Sequence, residues 1–321
     1  MTQTIQLQAT VPDDLGGHRL DQAVAQIFPD HSRSRLKGWI QSGELTVDGE
    51  QKRPRDKLLG GEQVAVNAAV QHEERWLPEA IDIDVIYEDD DILVLNKPTG
   101  LVVHPGAGHH DGTLLNALLH HCPTISAVPR AGIVHRLDKD TTGLMVVAKT
   151  IEAQTDLVAQ LQERAMGREY EAVACGVMTG GGCVEEPMGR HSKQRQKMAV
   201  SPMGKEAITH YRLLKKYRGH THIRLKLETG RTHQIRVHMA HLHYPLVGDQ
   251  LYGGRMRQPK GISIELQDCL RDFKRQALHA KRLELYHPIT EELMSWEVPL
   301  PDDFVALLHE LDLDLLTMDQ D

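Results

Sequence analysis

The sequence predicts an α+β fold in two segments. Its 321 residues exceed what one ordinary hydrophobic core usually organises, and 40% of them are hydrophobic, enough for globular packing. Strand-like and helix-like runs are interspersed without a regular βαβ rhythm, which argues against a doubly wound sheet.

The first segment reads as two helices and a small hairpin. Leu20, Ala23, Val24, Ile27 and Phe28 recur at helical spacing, and Pro29 ends that pattern. A second helix is expected from about Ser32, with Leu36, Trp39 and Ile40 on one face and Gly43 closing it. Leu45-Thr46-Val47 runs into an Asp48-Gly49 turn, and Gln63-Val64-Ala65-Val66 supplies a closing strand. The polar, aperiodic stretch from Ala68 to Ala80 reads as a linker.

The second segment begins at Ile81. Val85-Ile86-Tyr87 and Ile92-Leu93-Val94-Leu95 form strands around the acidic turn Glu88–Asp91. Leu115, Leu118 and Leu119 mark a helix, and Leu157, Val158 and Leu161 another. Leu144 to Ala148 is almost continuously apolar, as a buried central strand should be. Ile223, Leu225 and Leu227 alternate, as in a strand with one buried face.

Composition narrows the function. No apolar run approaches the roughly 18 residues of a membrane span. Met1-Thr2-Gln3-Thr4 lacks the basic flank and apolar core of a signal peptide. Cys122, Cys175, Cys183 and Cys269 form no CxxC pair, so no disulfide framework or thiolate zinc site is expected, and a reducing cytoplasm fits best. The net charge is −8, but Glu291 to Asp321 carries ten acidic residues and no Lys or Arg. Without that stretch the balance is +2, since −8 + 10 = +2. Pro187 to Arg218 holds nine basic residues against Glu206 alone. An isolated basic run is usually a solvated face; beside an acidic tail it also suits local phosphate binding.

Four stretches carry chemistry. Gly132-Ile133-Val134-His135-Arg136-Leu137-Asp138-Lys139-Asp140-Thr141-Thr142-Gly143 sets a long charged loop between apolar strands. A plain hairpin needs only about two to five turn residues, and loops on a rigid sheet tend to hold catalytic groups. In Leu227-Glu228-Thr229-Gly230-Arg231-Thr232-His233-Gln234-Ile235-Arg236, a strand ends at Gly230 and Thr232 can cap the helix that follows. Arg231 then lies near the helix's positive end, suited to a phosphate or a carboxylate. Asn96-Lys97-Pro98-Thr99-Gly100 makes a sharp turn after a strand, and Arg168-Glu169-Tyr170 opens another strand.

Together these stretches resemble the RluA-type pseudouridine synthases. His135-Arg136-Leu137-Asp138 is similar to the family's catalytic signature, Gly230 to Arg236 to its third motif, and Asn96-Lys97-Pro98 to its first. Ser32-Arg33-Ser34-Arg35 with the Asp48-Gly49 hairpin resembles an S4 RNA-binding domain. The resemblance implies an S4-like domain over 14–75, a linker ending at 76–80, and a catalytic domain over 81–321. That second domain would be a mixed, mostly antiparallel sheet with flanking helices. It further implies isomerisation of uridines in large-subunit (23S) ribosomal RNA, in the helix 69 stem-loop, by base flipping and an N-to-C glycosidic rearrangement. Asp138 is then the catalytic carboxylate, Arg231 its ion-pair partner, and Tyr170 the tyrosine that packs on the target base. Arg136 fills the gap left by the flipped base, with further RNA contacts from His135 and Lys97. Arg33, Arg35 and Lys37 would contact phosphates from the S4-like segment. The rearrangement needs no redox change or energy input, so no cofactor and no metal are expected, and neither a Walker loop nor a dinucleotide fingerprint is present. The partner is ribosomal RNA or a large-subunit precursor particle, no membrane is involved, and a monomer suffices.

Two other readings compete. A metal hydrolase could use His233, His238, His241 and His243, but none has HExxH-type spacing. A non-catalytic RNA-binding assembly factor would need only the S4-like segment, yet it has no use for a carboxylate beside an arginine, because carboxylates repel phosphate.

Overall fold

A computed structural model describes residues 4–318 except 30, 32, 70–75, 107, 195, 255–258 and 260. The expected helix start at Ser32 and much of the expected linker lie outside the described residues. The chain divides into two units, Met1–Arg75 and Trp76–Asp321.

In the first unit, β1 (Thr4–Thr10), α1 (Leu20–Ile27), α2 (Arg33–Ser42), β2 (Leu45–Val47) and β3 (Gln63–Ala69) follow in order. β3 pairs antiparallel with both β1 and β2, giving the order β1-β3-β2. Leu20, Val24, Leu36, Ile40, Val47 and Val64 form its core. β1 was not among the expected elements, although Thr4 to Thr10 alternates polar and apolar residues at the strand period. Arg33 and Lys37 lie about 40° apart around α2, but Arg35 is about 200° from Arg33. Its guanidinium sits 5.6 Å from the Trp39 ring centroid, so the three cations do not form one patch.

The second unit contains β4 (Asp84–Glu88), β5 (Ile92–Lys97), α3 (Leu114–His121), β6 (Thr142–Ala148), α4 (Ile151–Gln162) and β7 (Gly167–Cys175). Then come β8 (Gly182–Glu185), β9 (Met188–Arg190), β10 (Met198–Val200), β11 (Ile208–Lys216), β12 (His220–Leu227) and α5 (Gln234–His241). α6 (Ile264–Asp272), β13 (Leu278–Tyr286), β14 (Leu293–Glu297) and α7 (Asp302–Met318) complete it. Nine strands make one sheet in the order β4-β5-β6-β13-β7-β12-β11-β8, with β14 added on β13. Its described pairings are antiparallel except β6 against β13.

β6 is buried along its whole length because helices cover both faces. α3 and α5 contribute Leu114, Leu118, Ile235 and Met239 to one core, and α4 brings Ala153 and Leu157 to the other. Two glycines set the segment before β6 against this sheet. A Cβ on Gly132 (φ +71°) would lie 1.7 Å from the Ala148 carbonyl oxygen. A Cβ on Gly143 (φ +111°) would lie 2.3 Å from that of Ala280. Both backbone conformations favour glycine, so the ends of the charged loop are fixed by residues with no side chain to intrude.

The acidic tail does not stand apart. α7 packs Phe304, Leu307 and Leu311 into a core with α6. Its Asp312 pairs with Lys215 at 2.6 Å, and Asp314 with Arg218 at 3.1 Å. Part of the basic run is thereby neutralised within the protein.

Candidate active site

The loop between Gly132 and Gly143 is pinned at four places. His135 Nε2 accepts the Val146 N–H at 3.1 Å. Lys97 Nζ donates to the carbonyls of Pro98, Leu101 and Lys139 at 2.7–2.9 Å. Arg275 reaches the Asp140 carbonyl at 3.4 Å, and Gln276 donates to the Thr141 hydroxyl at 3.0 Å. The aspartate at the loop's centre is therefore held by neighbours on both sides, which is what a reacting group needs.

Two of these pins were expected to contact RNA. Lys97 cannot, because it is fully buried and its three donors serve backbone carbonyls. Burial pushes its ammonium down to about 7, against the pull of Asp140 and Asp138. His135 offers no cation either: burial, reinforced by Arg168, lowers it to about 3, so the ring is neutral while it anchors β6. Lys97→Met should leave three carbonyls without their donor, at about 1–3 kcal/mol each. The expected result is a lower unfolding temperature and about a 100-fold slower single turnover, since small misplacements cost that much. RNA affinity and its salt dependence should stay as they were; a flatter salt dependence would return Lys97 to phosphate binding.

Asp138 receives a hydrogen bond from Arg236 Nη1 at 2.9 Å. Arg236 in turn clasps Asp249 through Nε and Nη2 at 2.7 and 2.9 Å, and Asp249 is fixed by the N–H groups of Leu251 and Tyr252. Burial opposes the charge on Arg236, but the Asp249 hydrogen bonds and the Asp138 charge outweigh it and raise the guanidinium above its ordinary value. The Arg236 guanidinium also lies 5.0 Å from the Tyr252 ring centroid. Tyr252 shares a 2.7 Å hydrogen bond with His233 Nδ1, and its hydroxyl oxygen accepts the Met198 N–H of β10 at 2.9 Å. His233 Nε2 faces Asp138 at 3.8 Å.

Arg231, the expected partner of Asp138, points elsewhere: its Nε donates to the Glu206 carbonyl at 2.9 Å. The reason is the start of α5. Thr232 does not cap it; His233 occupies the cap in a left-handed conformation (φ 58°) without a side-chain cap bond. Gln234 Oε1 instead accepts the Thr229 hydroxyl and the Arg231 N–H, folding the turn back on itself. That places Arg231 outside the helix and Arg236 on its buried face. An arginine buried between Ile235 and Val237 demands a carboxylate, and its two apolar neighbours were the signal in the sequence.

Asp138 lies in a cleft of about 540 Å³, within the range of small-ligand sites. Tyr170 lines it and is buried. Burial raises its hydroxyl, Arg168 opposes that and Asp138 adds to it, so the phenol keeps its proton. Arg130, Arg136, Arg164, Arg168 and Arg231 line the cleft against Asp138, Glu206 and Glu228, leaving it electropositive. Arg136 is exposed and makes no hydrogen bond or ion pair among the described residues. Arg130 lines the same cleft, on backbone held left-handed at Arg130 and Ala131 (φ 54° and 49°).

The histidines proposed as metal ligands do not gather. His238 bonds Thr209 and the Glu186 carbonyl, and His233 bonds Tyr252. Among the described residues the one group with metal-ligand spacing is Asp89, Asp91 and His287. There the Asp89 carboxylate already accepts from Asp91 N, Ile92 N, Tyr87 and His287, which is a closed structural turn.

A carboxylate held by arginine in an electropositive cleft is the arrangement of an enzyme that works on a polyanion. Residues 91–241 match the model of RNA pseudouridylate synthase, and residues 18–64 that of the S4 domain. The ribosomal large subunit pseudouridine synthase D of Yersinia pestis is 61% identical over 98% of this chain and 97% of its own. That of Pseudomonas aeruginosa is 61% identical over 97% of each chain, and that of Escherichia coli K12 is 59% identical over 98% and 97%. Among solved structures, human RNA pseudouridylate synthase domain containing 4 aligns with a TM-score of 0.56 at 26% identity, over 71% of this chain and 93% of that one. The chain belongs to the RNA pseudouridylate synthase family, as an isomerase carrying an N-terminal S4 domain. No described helix is long and apolar enough to cross a membrane.

Proposed function

We propose that this enzyme isomerises uridines of large-subunit (23S) ribosomal RNA, in the helix 69 stem-loop, with Asp138 as the catalytic residue. The names of relatives near 60% identity over almost the whole chain support the substrate. The observation that carries the chemistry is the Asp138 carboxylate, held by Arg236 in a pinned loop beside Tyr170. The target uridine leaves the RNA stack and enters the cleft, with its base against Tyr170. Arg136 takes the vacated place in the stack, where its planar guanidinium can lie on neighbouring bases. Asp138 acts at the ribose as the N1–C1′ bond breaks, and the turned base closes the C5–C1′ bond. The S4 domain holds the surrounding RNA through Arg33 and Lys37. The enzyme works as a cytoplasmic monomer on ribosomal RNA or a precursor particle, with no cofactor. Mapping pseudouridines in cells with and without the gene tests the substrate directly. Loss of sites confined to helix 69 is the expected result; an unchanged 23S map would overturn it.

A further inference from the structure

Three described arginines are almost fully buried: Arg168, Arg236 and Arg275. Arg236 has Asp138 and Asp249, and Arg275 has Asp303. Among the described residues Arg168 has no carboxylate. Its Nη2 donates to the Glu228 carbonyl at 3.2 Å, and its buried Nε has no partner among them. A buried charge without a counter-charge is costly, and holding one carbonyl does not call for it. Strand alternation sets Arg168 and Tyr170 on the same face of β7, and both line the cleft with Asp138. Gly230 leaves room for the guanidinium: a Cβ there would lie 2.7 Å from Arg168 Nη1. Burial pushes the guanidinium below its ordinary value, partly opposed by Tyr170, yet an arginine stays charged at any working pH.

We propose that Arg168 is a further catalytic residue, binding a carbonyl oxygen of the flipped uracil and stabilising the negative charge that forms as the N1–C1′ bond breaks. This rests on the pseudouridine synthase reading of the cleft. In that heterolysis both bonding electrons go to the uracil and spread over N1, O2 and O4, leaving C1′ electron-deficient on the Asp138 side. After the ring turns, C5 bonds to C1′ and loses its proton, and N1 gains one. Nothing is oxidised or reduced, and the formula is unchanged. A neutral carbonyl accepts weakly and a uracilate oxygen strongly, so the guanidinium binds the transition state more tightly than the bound substrate. A backbone phosphate is a poorer occupant, because Arg168 is only 6% exposed and a base can enter where the polyanionic chain cannot.

Fluorine at C5 withdraws electrons, so a 5-fluorouracil anion leaves more readily and needs less help. The test is single-turnover consumption of the target nucleoside at saturating RNA, carrying uridine or 5-fluorouridine. Arg168→Met should lose about 10²–10³-fold on uridine, the scale of a removed oxyanion donor, and at least tenfold less on 5-fluorouridine. Arg168→Lys, which keeps a cation and protects the fold, should show the same substrate dependence in smaller measure. Equal losses on both RNAs in either variant would overturn the catalytic role and leave the family reading standing. No pseudouridine from the unaltered enzyme would overturn both. A loss that vanishes at saturating RNA would assign Arg168 to phosphate binding instead.

Discussion

Asp138→Asn should abolish pseudouridine formation, by a factor on the order of 10⁴ or more, while the protein folds and binds its RNA as before. The amide has the same shape, and its oxygen can still accept from Arg236 at the position the carboxylate holds, 2.9 Å away. Arg236 keeps its two hydrogen bonds to Asp249, so the cleft does not gain an unpaired cation. RNA affinity should not fall, because a carboxylate contributes no attraction to phosphate. The measurement is single-turnover conversion together with a binding isotherm for the same RNA. Conversion by the purified variant at even a hundredth of the normal rate would end the assignment. The same variant separates chemistry from assembly: if it restores large-subunit assembly in cells lacking the enzyme, the protein serves the ribosome by binding as well.

Arg236→Met should be the most damaging change after Asp138→Asn. It removes the partner of two carboxylates at once, one of them, Asp249, with a fully buried side chain. Breaking a buried pair costs about 3–5 kcal/mol, so both stability and rate should fall. Arg236→Lys tests the geometry apart from the charge. A lysine has no planar fork to span Asp249 and Asp138 together, and about a 100-fold slower turnover at saturating RNA is expected. Arg231→Met should stay within a few-fold of normal, because among the described residues that side chain bonds the Glu206 carbonyl and not Asp138. Arg231→Met slower than Arg236→Lys would mean that bound RNA re-pairs Asp138 with Arg231.

The contrast between these two arginines marks where the sequence stops being sufficient. Local periods were enough for β5, β6, α3, α4 and β12, because each pattern records which side of an element meets the core. They were enough for the Asp138 loop as well, whose polarity exceeds any need of a turn. The same rule covers β1, whose polar and apolar residues alternate.

Partner choice was not local. Asp138 and Arg236 are 98 positions apart, and which arginine faces the loop depends on where α5 begins. That start is set by a left-handed His233 and a back-folded Gln234, which no helical period encodes. Lys97 reads as a surface cation until β5 is seen to carry it beneath the loop, where Lys139 supplies one of its three acceptors. The basic run and the acidic tail read as opposite poles until α7 pairs Asp312 and Asp314 with Lys215 and Arg218. The sequence by itself determined the α+β class and those elements whose hydrophobic period it carries. Tertiary packing alone decided which charges meet, because an ion pair depends on distances that arise only when separate elements are brought together.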